Sequence, residues 1–286
     1  MSRRVDIDPS PRDATQTDTL PESEAVGVPV AHDYHVHTNY SDGEVMPSMV
    51  AAAEEAGLRA VGFADHCNVA ARDELLRAKR EFGFNLDQTY PLRREAIESM
   101  REQADVRIFD AVELDYDPRD EEDIAALLDE ADFDYAIGSV HRVDGVNVQS
   151  SRPFADMSER ERRELVDDYY ERLADLVASE LFDIAAHPDL VERTPELRGY
   201  TTPDHHAMVA DAFRNSRTVP EINAGRVRRN YGEFHPASDF RATLRERGVR
   251  FVAGSDSHEP AEVKRRKGEL DDHFAGREAK PVRLFD

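Results

Sequence analysis

Seven short apolar runs, each closed by charged or polar groups, alternate with amphipathic segments along this 286-residue chain. No other feature constrains the fold as strongly. The runs predict strands at Ala31–His35, Ala60–Ala64, Val106–Leu114, Tyr135–Val140, Asp183–Ala186, Thr218–Ile222 and Arg250–Gly254. Helices are expected between them at Pro47–Ala56, Leu92–Gln103, Glu121–Glu130, Ser158–Glu180, His205–Asn215 and Phe240–Arg247. Pro47 and Gly57 bound the first helix, and Ser158 with Glu161 forms a capping box at the fourth. Strand and helix in strict alternation argue for an α/β architecture. Residues 1–28 carry no apolar periodicity and read as a flexible extension, which leaves 29–286 as one domain.

Six of the eleven histidines fall at or just past the strand ends. His35 and His37 end the first strand, with Asp42 in the loop beyond. Asp65-His66 ends the second, Glu113 the third, His141 the fourth, His187 the fifth and Asp256-x-His258 the seventh. The sixth ends in Glu221-Ile222-Asn223 and the basic turn Arg226-Val227-Arg228-Arg229. If all strands are parallel, these groups share one face. An open sheet would spread them over about 30 Å, at about 4.8 Å per strand. A closed barrel gathers them at its C-terminal mouth.

The local patterns suit metal binding. Side chains alternate along a strand, so both rings of His-x-His point the same way and can hold one ion. Glu113 stands in an otherwise apolar strand, where an unpaired carboxylate is costly. The candidate ligands are His35, His37, Asp42, His66, Glu113, His141, His187, Asp256 and His258. Nitrogen and oxygen donors without sulfur suit Zn, Fe or Mn. Nine donors exceed what one ion takes and match three divalent ions, with a carboxylate bridging. Such a centre would make the pocket locally cationic and draw in a small anionic phosphate ester.

These motifs (His35-x-His37 with Ser41-Asp42-Gly43, Asp65-His66, Glu113, His141, His187-Pro188 and Gly254-Ser255-Asp256-Ser257-His258) resemble those of the polymerase and histidinol phosphatase (PHP) superfamily. The resemblance covers roughly residues 31 to 260. It implies a distorted (β/α)7 barrel with a trinuclear metal centre at the C-terminal mouth. By the same resemblance, His35, His37, Glu113 and Asp256 would hold one ion. Glu113, His141 and His187 would hold a second; Asp42, His66 and His258 a third. Longer stretches, such as Asp33–Thr38 and Val112–Tyr116, resemble the monofunctional histidinol-phosphatases. That implies hydrolysis of L-histidinol phosphate in histidine biosynthesis.

The chain departs from the family pattern at Ala64, Arg142 and Ala224-Gly225-Arg226, which leaves the leaving-group pocket open to other phosphate esters. A phosphoesterase of this superfamily acting on nucleotides or oligonucleotide ends is therefore the alternative. A non-catalytic metal-binding module is disfavoured because every ligand is present. An amidohydrolase commonly needs a carbamylated lysine, and none of the four lysines stands at a strand end. Arg228, then Arg226, is the expected partner of the phosphoryl oxygens, with Ser139 as a further substrate contact. Asp65 or a water is the expected proton donor to the leaving group.

Composition completes the expectations. The net charge of −23 opposes long nucleic acids and anionic membranes, and no apolar run approaches the ~20 residues of a membrane span. One cysteine, Cys67, allows no internal disulfide and reads as a small buried thiol. An acidic chain with 33 Arg and only 4 Lys fits a salt-rich cytoplasm, where screening weakens self-repulsion. His32, His205, His206, His235 and His273 stand outside the ligand pattern.

Overall fold

The structure, a computed structural model, describes residues 29–82, 85–275 and 280–285. The extension expected over residues 1–28 lies outside the described residues. All seven expected strands form: β1 (His32–Val36), β2 (Ala60–Cys67), β3 (Arg107–Asp115), β4 (Tyr135–Ser139), β7 (Ile184–Ala185), β8 (Val219–Asn223) and β9 (Val252–Gly254). They pair in parallel in the order β1-β2-β3-β4-β7-β8-β9. A short antiparallel hairpin, β5 (Arg142–Val143) and β6 (Val146–Asn147), follows β4. Near the mouth, the Asp256 amide donates to the His35 carbonyl (2.7 Å) and the His37 amide to that of Ser257 (2.9 Å). These two bonds bring β9 back to β1 and make a nearly closed (β/α)7 barrel.

Helices α1 (Met46–Glu55), α3 (Leu86–Arg101), α4 (Glu121–Ala131), α5 (Glu159–Ala178), α6 (Pro203–Arg214) and α7 (Ser238–Glu246) occupy the connections where helices were expected. The Ser158–Glu161 capping box opens α5, with both reciprocal bonds made. Three features escaped the sequence reading. Helix α2 (Asp73–Phe82) and helix α8 (Pro260–Ala275) are rich in charge and carry few apolar residues, and neither was expected. Helix α8 instead buries the stems of Arg266 and Lys267 beside Val263, Leu270 and Phe274. Helix α3 starts six residues before the expected Leu92 and contains Pro91. Full burial of Leu86 anchors that extra length against the helix-breaking tendency of proline.

The core has two layers. Inside the barrel, Tyr34, Ala64, Phe109, Ala111, Tyr135, Ile137, Ile184, Ala186 and Val252 pack together. Outside it, Val61, Phe63 and Ile108 cluster with residues of α1 and with Ile97 of α3, and Val112 and Leu114 cluster with Val166 and Tyr170 of α5. A register shift in the β1–β2 pairing between Asp33 and Val36 lets consecutive residues Tyr34 and His35 both face inward. Tyr34 enters the apolar floor, whereas His35 enters the mouth. Residues 280–285 cover that floor: the Leu284 amide donates to the Tyr34 hydroxyl (2.9 Å), and Phe285 stacks on Tyr135.

Candidate metal centre

Alternation along the strands decides which polar groups reach the mouth. His66 and Glu113 pair in register on β2 and β3 and continue the inward faces of Ala64 and Ala111. His187 and Asp256 stand just past their strands with φ of 29° and 53°, the left-handed region that non-glycine residues seldom occupy. Such backbone, tolerated where the surrounding structure enforces it, turns both side chains into the barrel.

Glu113 is the hub. Its Oε1 lies 3.1 Å from His187 Nε2 and 3.5 Å from His141 Nε2. Its Oε2 lies 2.8 Å from His66 Nδ1, 3.4 Å from His35 Nε2 and 3.7 Å from His37 Nε2. Asp256 Oδ1 is 3.4 Å from His37 Nε2, and Asp42 Oδ1 is 3.2 Å from His258 Nε2 and 3.7 Å from His66 Nε2. Three groups of donors are compact enough to hold ions: His37, Asp42, His66 and His258; His35, His37 and Glu113; His66, Glu113 and His141. Two donors bound to one cation at about 2.0–2.2 Å stand about 3 Å apart, and these separations match.

The buried atoms support that fit. Glu113 Oε2 is surrounded by three imidazoles yet accepts no hydrogen bond among the described residues. A buried carboxylate oxygen without a hydrogen bond is costly unless something else neutralises it. Outer partners also leave Nε2 free on the ring. His35 Nδ1 faces Glu221 Oε2 at 3.0 Å, His141 Nδ1 faces Asp115, and His258 Nδ1 faces the Asp256 carbonyl at 3.0 Å. Carboxylate–histidine pairs of this kind fix tautomer and ring plane at metal sites.

The charges are tightly coupled. Burial alone would raise Glu113, but His35, His66 and His141 hold it well below the usual carboxylate range. Burial likewise opposes Asp256, and His37 and His35 prevail to hold it far down. His66 resists desolvation through Glu113 and Asp42, which push it up to about 10. His37 falls to about 4, through burial and its neighbours His258 and His66.

Two arginines complete the mouth. Arg193, in the short helical turn Leu190–Arg193, is depressed to about 10 by desolvation and by Arg226, against the attraction of Asp256 and Glu113. Neither Arg193 nor Arg226 makes an ion pair among the described residues. Arg193 was missed by sequence reasoning, because a lone arginine after His187-Pro188 carries no local pattern. Beside the centre opens a cavity of about 310 Å³, lined by Asp42, His66 and His141 and by Asn68, Asp115 and Arg142.

Three expected contacts are not where the sequence reading put them. Arg228 is 69% exposed and donates to Glu269 (2.7 Å), so it does not serve the mouth. Ser139 is fully buried and gives its hydroxyl to Glu113, which makes it a support for that carboxylate. Asp65 alternates with His66 and points to the helix layer. There it accepts from the Thr38 amide and hydroxyl (2.7 Å each), the Ser41 hydroxyl (2.6 Å) and Arg93 (2.9 Å). A carboxylate so supplied with donors stays ionised and cannot deliver a proton to substrate. Cys67 is buried, its thiol pushed up to about 12 chiefly by desolvation.

Comparison with known proteins agrees with this geometry. Residues 33–225 match the model of the PHP domain. A Deinococcus radiodurans protein described as a probable histidinol-phosphatase is 30% identical over 239 residues, covering 81% of this chain and 87% of its own length. Among solved structures, a Lactococcus lactis histidinol phosphate phosphatase, in complex with zinc, L-histidinol and phosphate, superposes with a TM-score of 0.64. It is 22% identical and covers 86% of this chain and 94% of its own. A histidinol phosphatase candidate from Listeria monocytogenes gives a TM-score of 0.67 at 17% identity, covering 81% of this chain and 96% of its own. With its barrel, its mouth of nitrogen and oxygen donors and two thirds of its length matched, the chain belongs to the PHP domain family.

Proposed function

We propose that the chain is a metal-dependent phosphomonoesterase that hydrolyses L-histidinol phosphate to L-histidinol and phosphate, in histidine biosynthesis. The observation that carries the reading is Glu113, a buried carboxylate within 3.7 Å of five imidazole nitrogens, with Oε2 accepting no hydrogen bond among the described residues. We assign three divalent ions, of Zn, Fe or Mn, to the nine donors. His35, His37, Glu113 and Asp256 hold the first; Glu113, His141 and His187 the second; Asp42, His66 and His258 the third. The overlap of His37 and His66 between neighbouring groups supports a contiguous cluster. When bound, such ions supply Lewis acidity toward phosphoryl oxygens and lower the pKa of an attacking water.

The chain's own residues supply the rest. Arg193 and Arg226 bring to the mouth two guanidiniums that have no carboxylate partner among the described residues, and there they bind the phosphoryl group and stabilise its charge in the transition state. Ser139 and Glu221 hold Glu113 and His35 in place. Asp115 in the cavity wall suits the cationic amino alcohol of the leaving group. We extend the catalytic domain over 29–286, beyond the matched residues 33–225, because β9 and the turn after it carry Asp256 and His258. A cytoplasmic setting, rich in salt, accords with the reaction and the charge of −23.

Phosphate release from L-histidinol phosphate, measured beside AMP and a single-stranded oligonucleotide, tests the substrate. The expected result is a kcat/KM for L-histidinol phosphate at least about tenfold above the others. Equal or greater turnover of AMP would assign the chain to nucleotide phosphoesters instead.

A further inference from the structure

His187 and His235 share an unusual complementarity. His187 directs Nε2 at Glu113, while its buried Nδ1 makes no hydrogen bond among the described residues. The His235 ring lies 6.4 Å away, centroid to centroid, inclined at 75°. His235 is 1% exposed, and its Nε2 likewise lacks a hydrogen bond among the described residues. Its other nitrogen is committed: Nδ1 lies 2.6 Å from Asp189 Oδ1. Asp189 also accepts from the Ala237 amide (2.7 Å) and the Tyr231 hydroxyl (3.3 Å). Stacking on Tyr231 and paired backbone bonds to Asn223 fix the His235 ring from both sides.

Hydrogen-bond logic assigns the protons. An ionised Asp189 only accepts, so His235 carries its proton on Nδ1 and offers a lone pair at Nε2. A His187 that gives Nε2 to a cation must carry its own proton on Nδ1. A buried donor thus stands near a buried acceptor. Rings 6.4 Å apart put the two nitrogens between about 4 and about 9 Å from each other, beyond a direct bond, and the near part of that range is the span of one bridging water.

We propose that His235 is a positioning residue for His187. We propose further that one buried water accepts a hydrogen bond from the His187 Nδ1–H and donates to His235 Nε2, so that Asp189, His235, the water and His187 form a chain. That chain fixes the tautomer and plane of His187. His35 and His141 receive the same service directly, from Glu221 and Asp115. His187 receives it at one remove, from Asp189. The inference rests on the reading that His187 holds an ion.

The test compares the full-length wild type with His235→Phe and His235→Gln, each loaded with Zn and titrated against a chelator. Phenylalanine keeps the stacking on Tyr231 but can neither accept nor donate; glutamine can do both. The expected result for His235→Phe is that one ion dissociates about 10–100-fold more readily, while the others stay. His235→Gln should remain within about threefold of wild type. Equal retention by wild type and His235→Phe would overturn the proposal, as would a His235→Gln variant as weak as His235→Phe. A second measurement on the zinc-loaded wild type, long-range proton–nitrogen NMR of the rings, needs no variant. Both rings should be protonated at Nδ1, and a His235 bare at Nδ1 would refute the chain of bonds. A wild type that binds no divalent ion would instead defeat the functional reading itself.

Discussion

At the scale of single residues, the centre is a set of bases competing for protons until cations replace them. His66 is held up to about 10, against desolvation, by Glu113 and Asp42, and His35 is raised well above 6.5 by Glu221 and Glu113. Both rings therefore carry an extra proton at pH 7 before ions bind, and a nitrogen must be bare to hold a cation. Loading should release at least about one proton per chain, and affinity should rise with pH toward about 10. Calorimetric titration with Zn in buffers of different ionisation enthalpy measures this directly; zero proton release at pH 7 would contradict it. A second expectation concerns close packing. A Cβ on Gly254 would stand 2.1 Å from Glu221 Oε2. Gly254→Ala should displace that carboxylate from His35 and weaken ion binding by about 10–100-fold, read by chelator competition. Eight of the nine candidate donors stand out in the sequence because each ends a strand or lies in the turn just after one, and Asp42 because it follows His-x-His in the same loop. Arg193, Ser139 and Glu221 were not legible in their roles. Their partners lie elsewhere in the chain, and nothing local to them records that.

At the scale of elements, the adjacent residues Asp65 and His66 show how a strand divides its labour. Its inward residue joins the centre, and its outward residue anchors the helix layer. Arg93 of α3, fully buried, donates to Asp65 (2.9 Å) and to Asp110 (2.6 Å). Removing it takes the only guanidinium that Asp65 has among the described residues and one of the two that Asp110 has, so Arg93→Ala should cost about 3–5 kcal/mol in urea unfolding. Burial pushes Asp65 up, but Arg93, His37 and Ser41 prevail and hold it below 3.8. A depressed carboxylate stabilises the fold above its unfolded pKa and loses that contribution as pH falls. The variant's deficit should therefore shrink below about pH 4. A deficit under about 1 kcal/mol at pH 7 would show the pair to be marginal. Strand positions were legible because buried β-strands are short and densely apolar. Helices α2 and α8 were hidden by their charge, and along α8 the stems of Arg266 and Lys267 cover the core at positions whose sequence reads as polar. The β1 register shift, which turns Tyr34 down and His35 up, has no signature in composition at all.

At the scale of the whole molecule, barrel closure is what makes the site. His35 and His258 are separated by most of the chain, yet both donate to one cluster because β9 returns to β1 at the mouth. The acidic chain resolves into two populations. Asp42, Glu113 and Asp256 converge on the centre, while most of the other carboxylates among the described residues are exposed or pair with arginines. Cations at the mouth reverse the local sign and admit a phosphate ester to a protein of net charge −23. This centre should hydrolyse L-histidinol phosphate only when its donors are filled. Phosphate release, followed as chelator-treated protein is titrated with Zn or Mn, tests it most directly. The expected result is no release at the start, and full activity as loading approaches three ions per chain. Glu113→Gln should lose more than the about 100-fold that outer partners command. Binding of fewer than two ions per chain, with no phosphate released after reconstitution, would contradict the account.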